Sequence, residues 1–401
     1  MAGSNPIDKV NYGPSIDQIT SNMFNLSPDL LQLQNQVRAF AQTHIEPRAA
    51  AIDQCAEYPR DIHRLLVEHG YMRTIATPAQ TPERFLARAI LIEEFAYASA
   101  AVSMIPMVNE LGCTPLQLFG NDAQKKHWLS GIAEGKLFAS YGLTEPQAGS
   151  DVAALTSLAR LDGDHFIVNG EKSWICNVQR PGFCVVFATI DPNDMRRGLT
   201  AFIVRTDSPG FDIIGAEPTL GLRGSPTYNF RLNNVLVPRD QVLGQPGDGF
   251  RIAMMTLNHT RPAVAAQALG IARAARDVAL AYARERTSMG QVLIEHQAIG
   301  FMLADMEMKI RAARHLVYEA NVLLGEKLGG DAIATASAKC FAADIAMQVS
   351  SDAVQILGGN GYSKNYSVER FFRDAKVTQI YEGTNQIQRL VIARKLSGER
   401  G

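Results

Sequence analysis

The apolar residues of this chain change their period twice. From about residue 25 to 135 they recur at three- and four-residue intervals. In "SPDLLQLQNQVRAFAQTHIEP" a Ser cap opens the run, Leu30, Leu33, Val37, Phe40 and Ala41 share one helical face, and Pro47 stops it. "RFLARAILIEEFAYASA" has the same pattern. From about 140 to 245 the period falls to two. "FCVVFATI", "LTAFIVRT" and "TYNFRLNNVLVP" read as strands, and Asn169-Gly170 in "HFIVNGEKSWIC" is predicted to turn a hairpin. After about 247 the helical period returns in long stretches. "HQAIGFMLADMEMKIRAARHLVYEANVLL" puts Ile299, Met302, Leu303, Met306, Ile310, Ala313 and Val317 on one face, and "DAIATASAKCFAADIAMQVSSDAVQIL" follows it. Amphipathic helices of this length, with Ala on their seams, pack as a bundle. The expectation is an α+β multidomain chain: an N-terminal extension over 1–24, an α-helical domain over 25–137, a central β domain over 138–246 and a helical bundle over 247–401.

Composition narrows the function. The 401 residues are 46% hydrophobic, enough for a large core. A net charge of −1 gives no sign of a nucleic-acid partner. No apolar run reaches the roughly 18 residues of a membrane span. The opening "MAGSNPIDKVNYGPSID" has neither an apolar signal core nor an Arg-rich amphipathic pattern, so a cytoplasmic protein is expected. The five cysteines are scattered without a CxxC, and the histidines lack ligand spacing, so neither a disulfide framework nor a metal site is expected.

Four places can carry chemistry. Glu382, in "QIYEGTNQIQR", follows a predicted helix with Val368, Phe371, Phe372 and Ala375 on one face. Gly383 is a candidate C-cap, and Thr384 or Asn385 can cap the next helix. A carboxylate there either points into an apolar cleft, where desolvation makes it a better base, or is a solvated Glu in a surface turn. "YGLTEPQAGSD", Tyr141 to Asp151, either brings backbone N–H groups to a ligand or merely joins two domains. "ILGGNGYS" has Gly358, Gly359 and Gly361 for close backbone approach, but it follows a helix and lacks the dinucleotide spacing. Trp174 is either core or the wall of an aromatic cofactor.

Taken together and in order, "LTEPQAGSD", "NGEKSWI", "EHQAIGFMLADM", "DAVQILGGNGYS" and "RDAKVTQIYEGTNQIQR" resemble the acyl-CoA dehydrogenase family, nearest its medium-chain branch, over about residues 25 to 397. The resemblance implies a helical domain, a β-barrel-like domain and a four-helix bundle, bound FAD, and a homotetramer built as a dimer of dimers. It implies that Glu382 takes the α-proton of an acyl thioester while a β-hydride passes to the flavin. The resulting enolate-like charge would be held by a flavin hydroxyl and the base residue's own N–H. Thr260 stands where some branches carry their base and cannot replace it. Tyr141, Leu143, Thr144, Ser150, Trp174 and Cys176 would meet the flavin, with Ser150 also near the substrate. Thr384 and Gln386 would add contacts beyond the base. Arg286, Ser288, His296, Gln297, Gln355 and Gly359 would reach the FAD of a partner subunit. Asn258, Arg261 and Gly383 would bind the thioester, on CoA or on an acyl carrier protein. An electron-transferring flavoprotein or another acceptor would take the electrons.

The chain departs from the family pattern at three points. Cys176 replaces a threonine, Met289 replaces an aromatic, and "IATPAQTPERF" is shorter than usual and lacks glycine. A thiol is a weaker donor than a hydroxyl. An oxidase or monooxygenase on the same fold, or a flavoprotein scaffold without catalysis, are therefore the alternative expectations. "VSMIPMVNELG", Val102 to Gly112, would line the base of the acyl pocket.

Overall fold

The computed structural model describes residues 26–326 and 330–398; the expected extension over 1–24 lies outside them. Helices come first: α1 (Pro28–Phe40), α2 (Ala49–Cys55), α3 (Arg60–Glu68), α4 (Tyr71–Ala76), α5 (Pro82–Ala98), α6 (Ala100–Phe119) and α7 (Asp122–Ala133). α1 starts at the predicted cap, where Ser27 accepts from Leu30 N–H, and it buries Leu30, Val37 and Phe40. α5 and α6 are separated only by Ser99, whose backbone is extended. Both helices are buried almost along their length and form the centre of this part.

The strands are β1 (Phe138–Gly142), β2 (Leu158–Asp162), β3 (His165–Cys176), β4 (Gly182–Thr189), β5 (Leu199–Arg205), β6 (Phe211–Ala216), β7 (Thr227–Pro238) and β8 (Val242–Leu243). They form one sheet in the order β6-β7-β3-β2-β4-β5-β8, with β1 parallel to β4. β4 is buried on both faces, and its period-two pattern sorts its residues between two cores. Phe183, Val185 and Phe187 join the helices. Cys184, Val186 and Ala188 pack with Phe166, Phe202 and Phe230 in a core that the sheet makes with itself.

The predicted hairpin turn is corrected here. β2 and β3 turn at Gly163-Asp164, not at Asn169-Gly170. Gly163 has φ +58°, which the tight turn demands. Asn169-Gly170 lies inside β3 at a register shift against β7, where a Cβ on Gly170 would strike Ser157. A second shift, between Lys172 and Ile175, turns Trp174 out of the sheet.

The C-terminal part holds α8 (Gly249–Glu285), α9 (Gln297–Glu326), α10 (Ala332–Leu357), α11 (Val368–Thr378) and α12 (Asn385–Leu396). α8 runs for 37 residues, about 55 Å at 1.5 Å per residue. Its seam residues Ala265, Ala268, Ala272 and Ala275 are fully buried, as are Ala343, Ala346 and Ala353 of α10. Small side chains on both helices let their axes approach closely.

Candidate active site

Glu382 lies in the break between α11 and α12. α11 stops at Thr378 with Gln379 as its C-cap, so Gly383 is not the cap predicted for it; Thr384 does cap α12, accepting from Ile387 N–H at 3.3 Å. Glu382 has φ +53° and Gly383 φ +91°. A left-handed glutamate is unusual and stores strain unless its surroundings hold it. They do: Lys339 Nζ on α10 donates to Gly383 O at 2.8 Å and to Asn385 Oδ1 at 3.0 Å, and Gln388 Nε2 donates to Gly383 O at 2.8 Å.

The carboxyl group is directed inward. Burial pushes its pKa up to about 7. Thr260 on α8 donates to Oε2 at 2.5 Å and opposes the rise, Glu110 on α6 adds to it, and Arg261 and Lys339 oppose it by charge. An acid with a pKa near neutral is suited to removing a proton. Among the described residues no acceptor takes the Glu382 backbone N–H. Arg261, one residue after Thr260, is buried with Nε unpartnered, and a Cβ on Gly383 would lie 3.9 Å from Arg261 Nη2. Pro262 follows and has no N–H to give the carbonyl at Asn258. Asn258 Oδ1 accepts from Thr335 Oγ1 at 2.5 Å.

The β-domain residues form a wall. Tyr141 is buried with its hydroxyl unpartnered, and burial beside Glu382 drives its pKa well above the ordinary value. Leu143 is buried, and Ser173 N–H donates to Thr144 O at 3.0 Å. Trp174 has φ +64° and is 60% exposed, a large apolar ring held in an awkward backbone at the edge of the sheet. Cys176 Sγ lies 3.2 Å from Thr227 Oγ1 and its thiol pKa is raised by burial, so it stays protonated. Ser150 is exposed at the end of its loop. The start of that loop is fixed from below. Glu145 accepts from Ser157 N–H at 3.0 Å and Thr156 N–H at 2.6 Å, and from Lys172 Nζ at 2.8 Å. Burial raises the Glu145 pKa, but the Lys172 charge and these hydrogen bonds win and hold it at about 2.

The other predicted residues lie elsewhere. His296 bonds Ser288 O at 3.0 Å and Gln291 Nε2 at 3.1 Å, half-buried beside the exposed Arg286 just past α8. Gln297 opens α9, while Gln355 and Gly359 lie at the far end of α10. Gln386 is exposed on the first turn of α12. From Thr260 to Arg286 along α8 is roughly 39 Å. Within one chain, this group is therefore remote from Glu382.

Lys339, Gln388, Glu110 and the Thr260 bond were not foreseen as parts of the site. Lys339 had a signal, since it is the one charge in the apolar stretch "AIATASAKCFAA". Glu110 is held by Arg88 Nη1 at 2.9 Å, a pairing between two helices that spacing cannot show.

Comparison with known proteins matches three family descriptions end to end. "Acyl-CoA dehydrogenase, N-terminal domain" covers residues 27–136, the middle domain 140–235 and the C-terminal domain 247–397. A Mycobacterium tuberculosis relative, "Probable acyl-CoA dehydrogenase FadE25", is 42% identical over 96% of this chain and 98% of its own length. A solved glutaryl-coenzyme A dehydrogenase with glutaryl-CoA has a TM-score of 0.90 at 35% identity, covering 94% of this chain and 97% of that one. The butyryl-CoA dehydrogenase of Megasphaera elsdenii gives 0.87 at 36%, covering 93% and 99%. The prolyl acyl carrier protein oxidase AnaB gives 0.87 at 28%, covering 92% and 99%.

Proposed function

The chain belongs to the acyl-CoA dehydrogenase family, whose members bind FAD, and from that premise we propose that it desaturates a saturated acyl thioester between its α and β carbons, with Glu382 as the base. The observation that carries this reading is the Glu382 carboxyl: turned inward on a left-handed backbone, with a pKa near 7. FAD supplies the acceptor for the β-hydride. The residues suit such a group. The exposed Trp174 ring offers a flat face, and the orphaned Tyr141 hydroxyl lies buried beside Glu382. Tyr141, Leu143, Thr144, Ser150, Trp174, Cys176, Thr384 and Gln386 would hold it.

Glu382 removes the α-proton and keeps it on a carboxyl whose pKa makes both forms accessible near neutral pH. Thr260 holds that carboxyl in place. The unused Glu382 N–H is free to meet the thioester oxygen as negative charge builds on it, the arrangement of an oxyanion hole. Arg261, Asn258 and Gly383 would seat the arm of the thioester. The test is anaerobic bleaching of the flavin by a panel of acyl thioesters on CoA and on acyl carrier protein. Failure with every thioester on both carriers would refute the reading.

The acyl group, its carrier and the acceptor are proposals at a finer level. CoA is favoured by the glutaryl-CoA and butyryl-CoA relatives, and an acyl carrier protein by AnaB. The acceptor would be an electron-transferring flavoprotein. An oxidase is the second reading, favoured by Cys176, which offers a weaker donor than a hydroxyl. Rapid peroxide formation by the reduced enzyme in air would select it. We further propose the domain limits 25–137, 138–246 and 247–401, a homotetramer built as a dimer of dimers, and a cytoplasmic location. The roughly 39 Å from Thr260 to Arg286 supports the dimer: residues so far apart serve the same FAD only from two chains. No helix among the described residues is long and apolar enough to cross a membrane.

A further inference from the structure

A cavity of about 390 Å³ lies between α2, α5, α8 and the segment that leads into α11. None of the residues around Glu382 lines it. Its volume falls at the small end of ligand pockets, roughly 300–1,000 Å³.

Arg370 lines this cavity and is only 9% exposed. Its Nε has no partner, and among the described residues its guanidinium makes neither a hydrogen bond nor an ion pair. A buried guanidinium with idle donors is costly unless an acceptor is supplied. Its guanidinium lies over the Phe371 ring, 5.3 Å from the centroid, and Asp374, Asp53 and Glu369 act on it by charge, but the hydrogen bonds of these acids go elsewhere. Arg373 takes Asp53 at 2.9 and 2.6 Å and Glu369 at 2.7 and 3.0 Å. Asp374 accepts from Leu222 N–H at 2.7 Å. Glu46 is exposed where it lines the cavity.

A second set of donors points to the same place. α11 begins at Val368, and Ser367 makes no side-chain bond to its first N–H groups. Those groups carry the positive end of the helix. Ser367, Glu369 and Arg370 all line the cavity, so the uncapped end and the idle guanidinium open onto one space. The opposite surface is apolar, formed by Ala98, Ala274 and Val278, with Phe371 beside them.

Net charge selects among anions. Of the charges that line the cavity, Lys364 and Arg370 stand against Glu46, Asp53 and Glu369, and Arg373 behind them pairs with the last two, three charges of each sign. Such a balance does not favour a dianion such as phosphate. It suits one planar monoanion with an apolar body, which a guanidinium fork can bind through both oxygens.

We propose that this cavity is a second binding site, for a small organic carboxylate. Arg370 and the first N–H groups of α11 take its oxygens, and Val278 and Phe371 pack on its body. Glu382 follows the other end of this same 11-residue helix, about 16 Å in length. The ligand would therefore sit at one end of the element whose far end leads to the base.

Benzoate tests the proposal on the holoenzyme, by calorimetric titration and by the shift in unfolding temperature, with inorganic phosphate and chloride at matched ionic strength beside it. Saturable benzoate binding is expected, at least about tenfold weaker in Arg370→Gln, the loss of one bidentate charged contact. Flavin bleaching by thioesters stays unchanged. Should Arg370→Gln fail to fold, Ala50→Trp, placed at an exposed position on the cavity wall, blocks the site and abolishes binding without touching Arg370. Benzoate effects no larger than those of chloride, or equal in wild type and both variants, overturn the proposal. So does tighter binding of phosphate than of benzoate, or a crystal structure in which a second copy of the chain fills the cavity.

Discussion

At the scale of the residue, two facts about Glu382 make separate predictions. Burial lifts its pKa from the ordinary carboxyl value to about 7. Between those two values the folded protein holds a proton that the unfolded chain has released. This group's contribution to stability therefore falls as pH rises from about 4.5 to about 7, then levels. Glu382→Gln removes that cost. Its melting temperature should exceed that of wild type, with a gap that widens over this pH range, while flavin stays bound and bleaching by thioester is lost. The second fact is the Thr260 hydroxyl, which favours the charged carboxylate. Thr260→Val should move the acidic, ascending limb of the kcat/KM profile up by about one pH unit, with the rate recovered at higher pH. An unmoved profile would count against Thr260 as a positioning residue. Spacing showed that an acid sits in a break between helices and left open whether it faces water or a cleft. The resemblance chose the cleft. The left-handed backbone and the Thr260 bond are products of packing between elements, and neither is written in the local sequence.

At the scale of the element, the helices were legible because their apolar stripes are long and regular. Ser27 and Thr384 cap where their residue types say they should. The β region was read less well. The hairpin was read at "NG", Asn169-Gly170, while the "DG" at Asp162-Gly163, beside the actual turn, was passed over; a bulge inside a long strand also needs glycine. The loop from Leu143 to Asp151 was read from its motif, whereas its support was not. That support is the ion pair of Lys172 with Glu145, both fully buried. Lys172→Met should lower stability by about 3–5 kcal/mol, the cost of leaving one charge of a buried pair alone, and loosen FAD; chemical denaturation and flavin release measure the two. Glu145 has its pKa depressed to about 2, so its contribution is present above the ordinary carboxyl value and is lost as pH falls toward 2. Wild type should show this acid loss and Glu145→Gln should not.

At the scale of the whole molecule, the proposed dimer, in which each chain completes its partner's centre, can be tested by mixing. Glu382→Gln lacks the proposed base but keeps Arg286; Arg286→Ala keeps the proposed base but lacks the contact proposed for a partner's FAD. Each alone should be inactive or nearly so. Dissociated and reassembled together, a mixed dimer should regain one working centre, measured as flavin bleaching by thioester. No recovery, with mixed dimers demonstrated by mass spectrometry, would argue that Arg286 does not serve the neighbouring centre. This arrangement was not available from periodicity, which gives the length of α8 but not what lies at each end. Among the described residues, Trp174, Met289 and Glu382 share a backbone that side chains other than glycine seldom tolerate. An engineer hunting for heat resistance would mark all three for relief, and would gain melting temperature by doing so. A library sorted for survival alone would then accumulate robust, colourless protein.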